Sequence, residues 1–273
     1  MSETHLTLRP APGRTAPRER TTPLGRMAAL ARAELSLFAR NRGTLAAAVL
    51  VPLVLPFSVR SAAGQLNLKD AGLTVGLVML PASIGFSLLF AVYSTLVGVF
   101  VSRREQLVFK RLRTGEPRDP EILAGAALPA VAIALAQCAV MAAACTVLLR
   151  IPAPHAPQFA VLGVALGVVL CGAFAAVTAI WTRTAESAQI TTVPLVLLSA
   201  LGSGLAIPLE LLPDRLARLC ELLPLTPAIT LVRAGWTGDL GAGEAVRAVI
   251  VALAWTGVAV FAVRRWFRWE PRR

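Results

Sequence analysis

Six long, mostly apolar stretches punctuate this chain, at about 44–60, 72–102, 122–149, 157–182, 187–209 and 246–264, with short polar segments between them. A helix rises about 1.5 Å per residue, so about 20 residues cross the hydrocarbon core of a bilayer. The pattern therefore predicts an all-α, polytopic membrane protein with six spans. The first and last stretches are the shortest. Pro52 and Pro56 are expected to bend the first, and the last would gain length if Arg247 snorkels its head to the surface. Pro152, Pro154 and Pro157 lead into the fourth.

Other patterns fill the space between the spans. Residues 1–23 are rich in Pro, Thr, Arg and Glu without apolar periodicity, which predicts a disordered tail rather than a cleaved signal. Over 24–42, Leu24, Met27, Leu30, Ala31, Leu35 and Phe38 recur at helical spacing, while Arg26, Arg32, Arg40 and Arg42 fall largely on other faces. That is an amphipathic helix, expected to lie in the headgroup layer. Between the last two spans, Leu212, Leu216, Leu219 and Leu223 form a stripe beside Asp214, Arg215, Arg218 and Glu221, the pattern of a short interfacial helix. Gly72-x-x-x-Gly76 and Gly163-x-x-x-Gly167 predict close helix approach. Residues 268–273 are a basic tail.

Composition agrees with the pattern. Of 273 residues, 56% are apolar and 15% charged, and the mean hydropathy is +0.69; a soluble domain carries roughly 25% charged residues. The formal charge of +12 would suggest nucleic acid if it covered a soluble face, but the basic residues flank apolar runs, so nucleic acid is not an expected partner. Counted by loop, 20 of the 27 Arg and Lys lie on the side of both termini and 7 on the other. The positive-inside rule then puts both termini in the cytoplasm.

The absent chemistry narrows the function. Apart from Arg60, Arg247 and Arg264 at their edges, these stretches contain no Asp, Glu, Lys, Arg or His, which argues against a proton-coupled carrier. No His-Glu-x-x-His pair exists, and neither Lys69 nor Lys110 follows a glycine, so no phosphate-binding loop can be read. Gly202-Ser203-Gly204 lacks a histidine to act as base. Cys138 and Cys145 share a helix face but sit about 10 Å apart along its axis, too far for a disulfide. The chain has neither a catalytic constellation nor a cofactor site, and any uphill movement needs work from another subunit.

The segment after the second span has the form of a docking surface. Leu107, Phe109, Lys110 and Leu112 belong to a short helix stopped by Gly115 and Pro117, and the next helix starts at Asp119-Pro120-Glu121. Arg104-Glu105-x-Leu107-Val108-x-Lys110-Arg111-Leu112-Arg113-Thr114-Gly115 before Glu121-Ile122-Leu123 resembles the elbow of the ABC-2 type (type-2 exporter) ABC transporter permeases. The likeness extends to Ala33-Glu34-Leu35-x-Leu37-x-x-Arg40-Asn41. It also takes in Pro208-Leu209-x-Leu211-Leu212-Pro213, Leu223-Pro224-Leu225-Thr226-Pro227 and Leu231-Val232-Arg233, covering about 26–266 in all.

The resemblance implies a permease of the bacterial cell membrane that pairs with a second permease copy. It would sit on two copies of a separate ATP-binding cassette subunit, which holds the ATP and Mg. The elbow, including Arg104, Glu105, Phe109 and Arg113, would contact that subunit. The helix carrying Arg32, Glu34, Leu35, Phe38 and Arg40 would be the interface helix beside it, and 210–246 would form short re-entrant helices near the exit. For a substrate path, Ser83, Ser87 and Ser94 share a face of the second span near Tyr93, and Thr192, Ser199 and Ser203 share a face of the fifth. Scattered hydroxyls on apolar walls suit an amphipathic drug or a lipid-like molecule. A non-transporting anchor or signalling partner is the competing reading.

Overall fold

The structure, a computed structural model, describes residues 22–40, 43, 54, 74–115, 118–148, 151–267 and 269. Among these, every regular element is helical. They are α1 (Pro23–Arg40), α2 (Val75–Glu105), α3 (Val108–Arg113), α4 (Asp119–Leu148), α5 (Pro157–Trp181), α6 (Ala188–Gly202), α7 (Asp214–Cys220), α8 (Thr226–Thr237) and α9 (Ala242–Trp266), with a 3-10 turn at Leu209–Leu211. The stretch at 44–60, expected as the first span, lies outside the described residues apart from Val54. So do most of the tail at 1–23, most of the tail at 268–273, and Gly72 of the first glycine pair.

Four described helices, α2, α4, α5 and α9, are long and apolar enough to cross a membrane. The expected fifth span is shorter than its apolar run. Helix α6 has 15 residues, about 22 Å at 1.5 Å per residue, because Gly202-Ser203-Gly204 turns the chain. Gly204 has φ +75°, a left-handed conformation that favours glycine, and the Ala206 N–H donates to the Ala200 carbonyl at 3.0 Å. Hydropathy saw the apolar run continue through a turn that ends the helix.

Helices α2, α4, α5, α6 and α9 alternate in direction, so the bundle has an elbow end, holding α3, and a far end. Helix α2 is the core, buried on most sides, whereas α9 exposes most of its surface. The middle of α2 widens into a π-helix at Leu88–Ser94, whose turns take up an extra residue. The Ser94 and Thr95 hydroxyls each reach back five residues, to Leu89 O at 3.0 Å and Phe90 O at 2.9 Å. This breaks the expected common face: Ser83 and Ser87 are fully buried, while Ser94 is half-buried.

At the far end, α8 is laid against α5 and touches α2 and α9. It has 12 residues, about 18 Å, starts with Pro227 in its first turn, and is buried along most of its length. Glycines make the contact possible. A Cβ on Gly163 would come within 2.6 Å of Ala228 O, and one on Gly235 within 2.7 Å of Ala160 N. Gly167 meets Leu88 in the same way, so both glycines of the Gly163-x-x-x-Gly167 pair are used for close approach inside the chain.

Helix α1 packs along α4. Arg26 makes a bidentate pair with Glu121, Nε to Oε2 at 3.0 Å and a terminal nitrogen to Oε1 at 3.1 Å. One turn on, Leu30 sits over Gly125. Both contacts step by four residues on each helix, so the helices run side by side in the same direction. A helix expected to lie in the headgroup layer has a protein neighbour over these turns. Arg32 and Leu35 are exposed, and the side chains of Glu34, Phe38 and Arg40 lie outside the described residues.

Candidate docking elbow

The elbow forms because α2 ends in a tight corner. Gln106 N–H donates to Ser102 O and Leu107 N–H to Arg104 O, and Leu107 takes φ 58°, ψ 16°. Among the described residues it is the one non-glycine with positive φ, a conformation that costs an L-residue about 1 kcal/mol. The corner turns the chain back as α3, which has an inner side of Val108, Phe109 and Leu112 and an outer side of Lys110, Arg111 and Arg113. Phe109 is 1% exposed, with ring contacts to Phe100 at 6.3 Å and to Trp269 at 5.9 Å. Leu112 is half-buried, and Glu105, Leu107, Lys110, Arg111, Arg113, Thr114 and Gly115 are exposed.

Arg104 corrects the sequence grouping. The elbow motif groups it with the docking surface, but it is 1% exposed and faces the protein interior. Its guanidinium donates to Ala179 O at 2.7 Å and to Thr182 O, carbonyls at the C-terminal end of α5 that have no partner within the helix. A cation there also suits the helix dipole. The adjacent Glu105 accepts the Ala185 N–H at 3.2 Å. Neighbouring side chains of α2 thus fasten the turn between α5 and α6 to the elbow. Phe109 likewise backs the outer face from within.

The elbow is braced from two more directions. Arg113 Nε donates to Asp119 Oδ1 at 2.9 Å, spanning the gap between α3 and α4. Its guanidinium carbon lies 4.8 Å from the centre of the Trp269 ring, within cation–π range. Glu121, besides holding Arg26, accepts the Arg118 N–H at 3.3 Å, so the start of α4 is capped from within. Sequence reading treated the last residues as a basic tail and missed Trp269. The available signal was the aromatic cluster Trp266, Phe267 and Trp269.

Most of the hydroxyls singled out for a substrate path are packed between helices. Tyr93 is fully buried and its hydroxyl meets Thr178 Oγ1 at 3.0 Å, joining α2 to α5. Ser83 donates to Met79 O at 2.7 Å and Thr192 to Gln189 O at 2.9 Å, as membrane-helix hydroxyls do when they satisfy their own backbone. Ser199 and Ser203 are buried, and the Thr226 hydroxyl donates to Ser203 Oγ at 3.1 Å, tying the end of α6 to the start of α8. Ser87 Oγ is buried and finds no partner among the described residues. A cleft at the far end is lined by Leu77, Pro81, Ser203, Ile229 and Arg233, and so takes in Ser203 of this set.

Two comparisons bear on identity. No curated protein matches the chain. The family model for the ABC-2 type transporter matches residues 26–236, from the Arg26 of the α1–α4 ion pair through the elbow to within one residue of the end of α8. The chain therefore belongs to the ABC-2 type transporter membrane family, and it is the permease component of an ABC transporter, working with an ABC ATPase partner.

Proposed function

We propose that this permease is an exporter. It moves an amphipathic or hydrophobic molecule, drug-like, antibiotic-like or lipid-like, out of the cytoplasm, and a separate ATPase subunit bound to the elbow drives it. In this reading two permease copies sit on two ATPase subunits in a bacterial cell membrane, with both termini cytoplasmic. ATP and Mg are held by the partner, and this chain supplies no cofactor site. Helix α1 flanks the docking contact, and α7 and α8 form the re-entrant segment at the exit.

The observation that carries the reading is the two-sided elbow. Lys110 and Arg111 are exposed on a helix whose inner side is anchored by Phe109, with Arg113 beside them bracing the mount through Asp119. An exposed basic face on a rigid mount is suited to a soluble partner that pushes, whereas a plain positive-inside anchor has no use for the mount. The arginine asymmetry of the loops supports the orientation. The substrate class rests on the apolar walls and the hydroxyls of Ser83, Ser87, Tyr93, Ser94, Thr192, Ser199 and Ser203. Most of those hydroxyls are packed in this conformation, so passage requires α2 to separate from α5 and α6.

Co-purification tests the docking. Lys110→Glu with Arg111→Glu should lower recovery of the ATPase subunit several-fold while the permease still inserts in the membrane. Undiminished recovery would remove the docking assignment. Resistance profiling of a deletion strain across amphipathic compounds tests the exporter reading, and an unchanged profile together with unchanged lipid export would contradict it.

A further inference from the structure

We propose that Trp269, with Phe267, is a strut of the elbow, and that Trp269 is the positioning residue that couples the elbow helix to the last membrane helix. The inference rests on the docking reading above.

Trp269 lies three residues beyond the end of α9 and packs into the inner side of α3. Its ring meets Phe109 edge-on at 5.9 Å with planes at 78°, and Phe267 at 5.0 Å with planes at 74°. Arg113 lies over it at 4.8 Å while bonding Asp119. Phe109 continues the stack to Phe100 of α2 at 6.3 Å. A line of rings therefore runs from α2 through the elbow to the end of α9. Edge-to-face pairs of this kind each contribute beyond their buried area, and Arg113 adds a charged contact.

The consequence is mechanical. Through the chain itself, the elbow pulls only on α2 and α4, which it joins. Helix α9 is remote in sequence, packs on α5 and α8, and exposes most of its surface. Apart from the aromatic cluster at its end, α9 is held at α5 and α8 and at the segment between α7 and α8, through Arg247 to Glu221 and Trp255 to Leu222 O, all remote from α3 in the chain. With Trp269 in place, α3 and the end of α9 move together, so α8, which touches α2, α5 and α9, is driven from the elbow through both α2 and α9.

Spin labels at Gln106→Cys, on the corner that leads into α3 and outside the docking face, and at Arg265→Cys, both exposed, read this directly in the complex with its ATPase subunit, because the four native cysteines are buried. The probes are the nucleotide-free state and the state trapped with ATP and vanadate. The expected result is one narrow distance distribution in both states. Trp269→Ala should broaden it or shift it by several ångströms on trapping, with ATPase recovery unchanged, and Trp269→Phe, which keeps a ring edge against Phe109, should restore most of the narrow distribution. An unchanged distribution in Trp269→Ala overturns the strut, as does equal broadening in Trp269→Phe. Loss of ATPase recovery in Trp269→Ala also overturns it, since the residue would then serve docking. Failure of the docking reading looks different: full ATPase recovery in the Lys110→Glu, Arg111→Glu variant.

Discussion

The guanidinium of Arg104, near the end of α2, donates to the carbonyl oxygen of Ala179 at 2.7 Å, and so binds the end of one membrane helix to the end of another beside the elbow. The charge is buried, and hydrogen bonds to charged groups are worth about 1.5–3 kcal/mol each. Arg104→Ala should lower stability in detergent by about 3 kcal/mol, read by denaturant titration. Arg104→Lys should recover only part of this, because an ammonium lacks the fork that reaches both Ala179 and Thr182. Full recovery by lysine would show that charge alone suffices.

Leu107 sets the corner between α2 and α3 at φ 58°. A β-branched residue is far less tolerant of that region than an unbranched one. Leu107→Val should destabilise the elbow and raise amide exchange across 106–113, whereas Leu107→Gly should relieve backbone strain and retain the corner. Equal exchange in the valine variant would mean that the corner relaxes freely.

The α5–α8 contact depends on the absence of side chains. Gly163→Leu puts atoms where Ala228 O already stands, within 2.6 Å of a Cβ, and overpacking of this kind costs about 1–3 kcal/mol. The variant should unfold earlier in a thermal shift assay, and a cysteine on α8 should become more accessible to a thiol reagent. Gly172→Ala, which meets only Leu96 at 3.9 Å, is the control and should behave as the parent.

Tyr93 closes the interior between α2 and α5 through Thr178. Tyr93→Phe keeps the ring and removes one hydrogen bond, a loss of about 1 kcal/mol measurable by the same titration. A loss several times larger would show that the hydroxyl organises more than this pair.

Much of this fold is legible in the sequence. Hydropathy alone locates α2, α4, α5 and α9, because lipid leaves a long apolar helix as the simplest way to satisfy the backbone. The stop after Arg113 and the buried glycine pair at Gly163 and Gly167 are also readable. The readings fail where tertiary contact decides. Nothing local distinguishes Arg104, turned inward to carbonyls 75 residues away, from Arg103 beside it. The π-helix that swings Ser94 out of line with Ser83 and Ser87 has no signature in a 3.6-residue pattern. The end of α6 at Gly202 was readable from Gly202-Ser203-Gly204, but apolar length outweighed turn chemistry. Trp269 looked like tail because the ring that receives it, Phe109, lies 160 positions earlier.

The central claim is that the elbow end of the bundle meets an ATPase subunit. A thiol-reactive photo-crosslinker on Lys110→Cys, compared in intact membranes with one on Val147→Cys at the exposed far end of α4, tests it most directly. The account predicts an adduct with the ATPase subunit at position 110 and none at 147. An adduct at 147 equal to that at 110, or no ATPase adduct at 110, would contradict it.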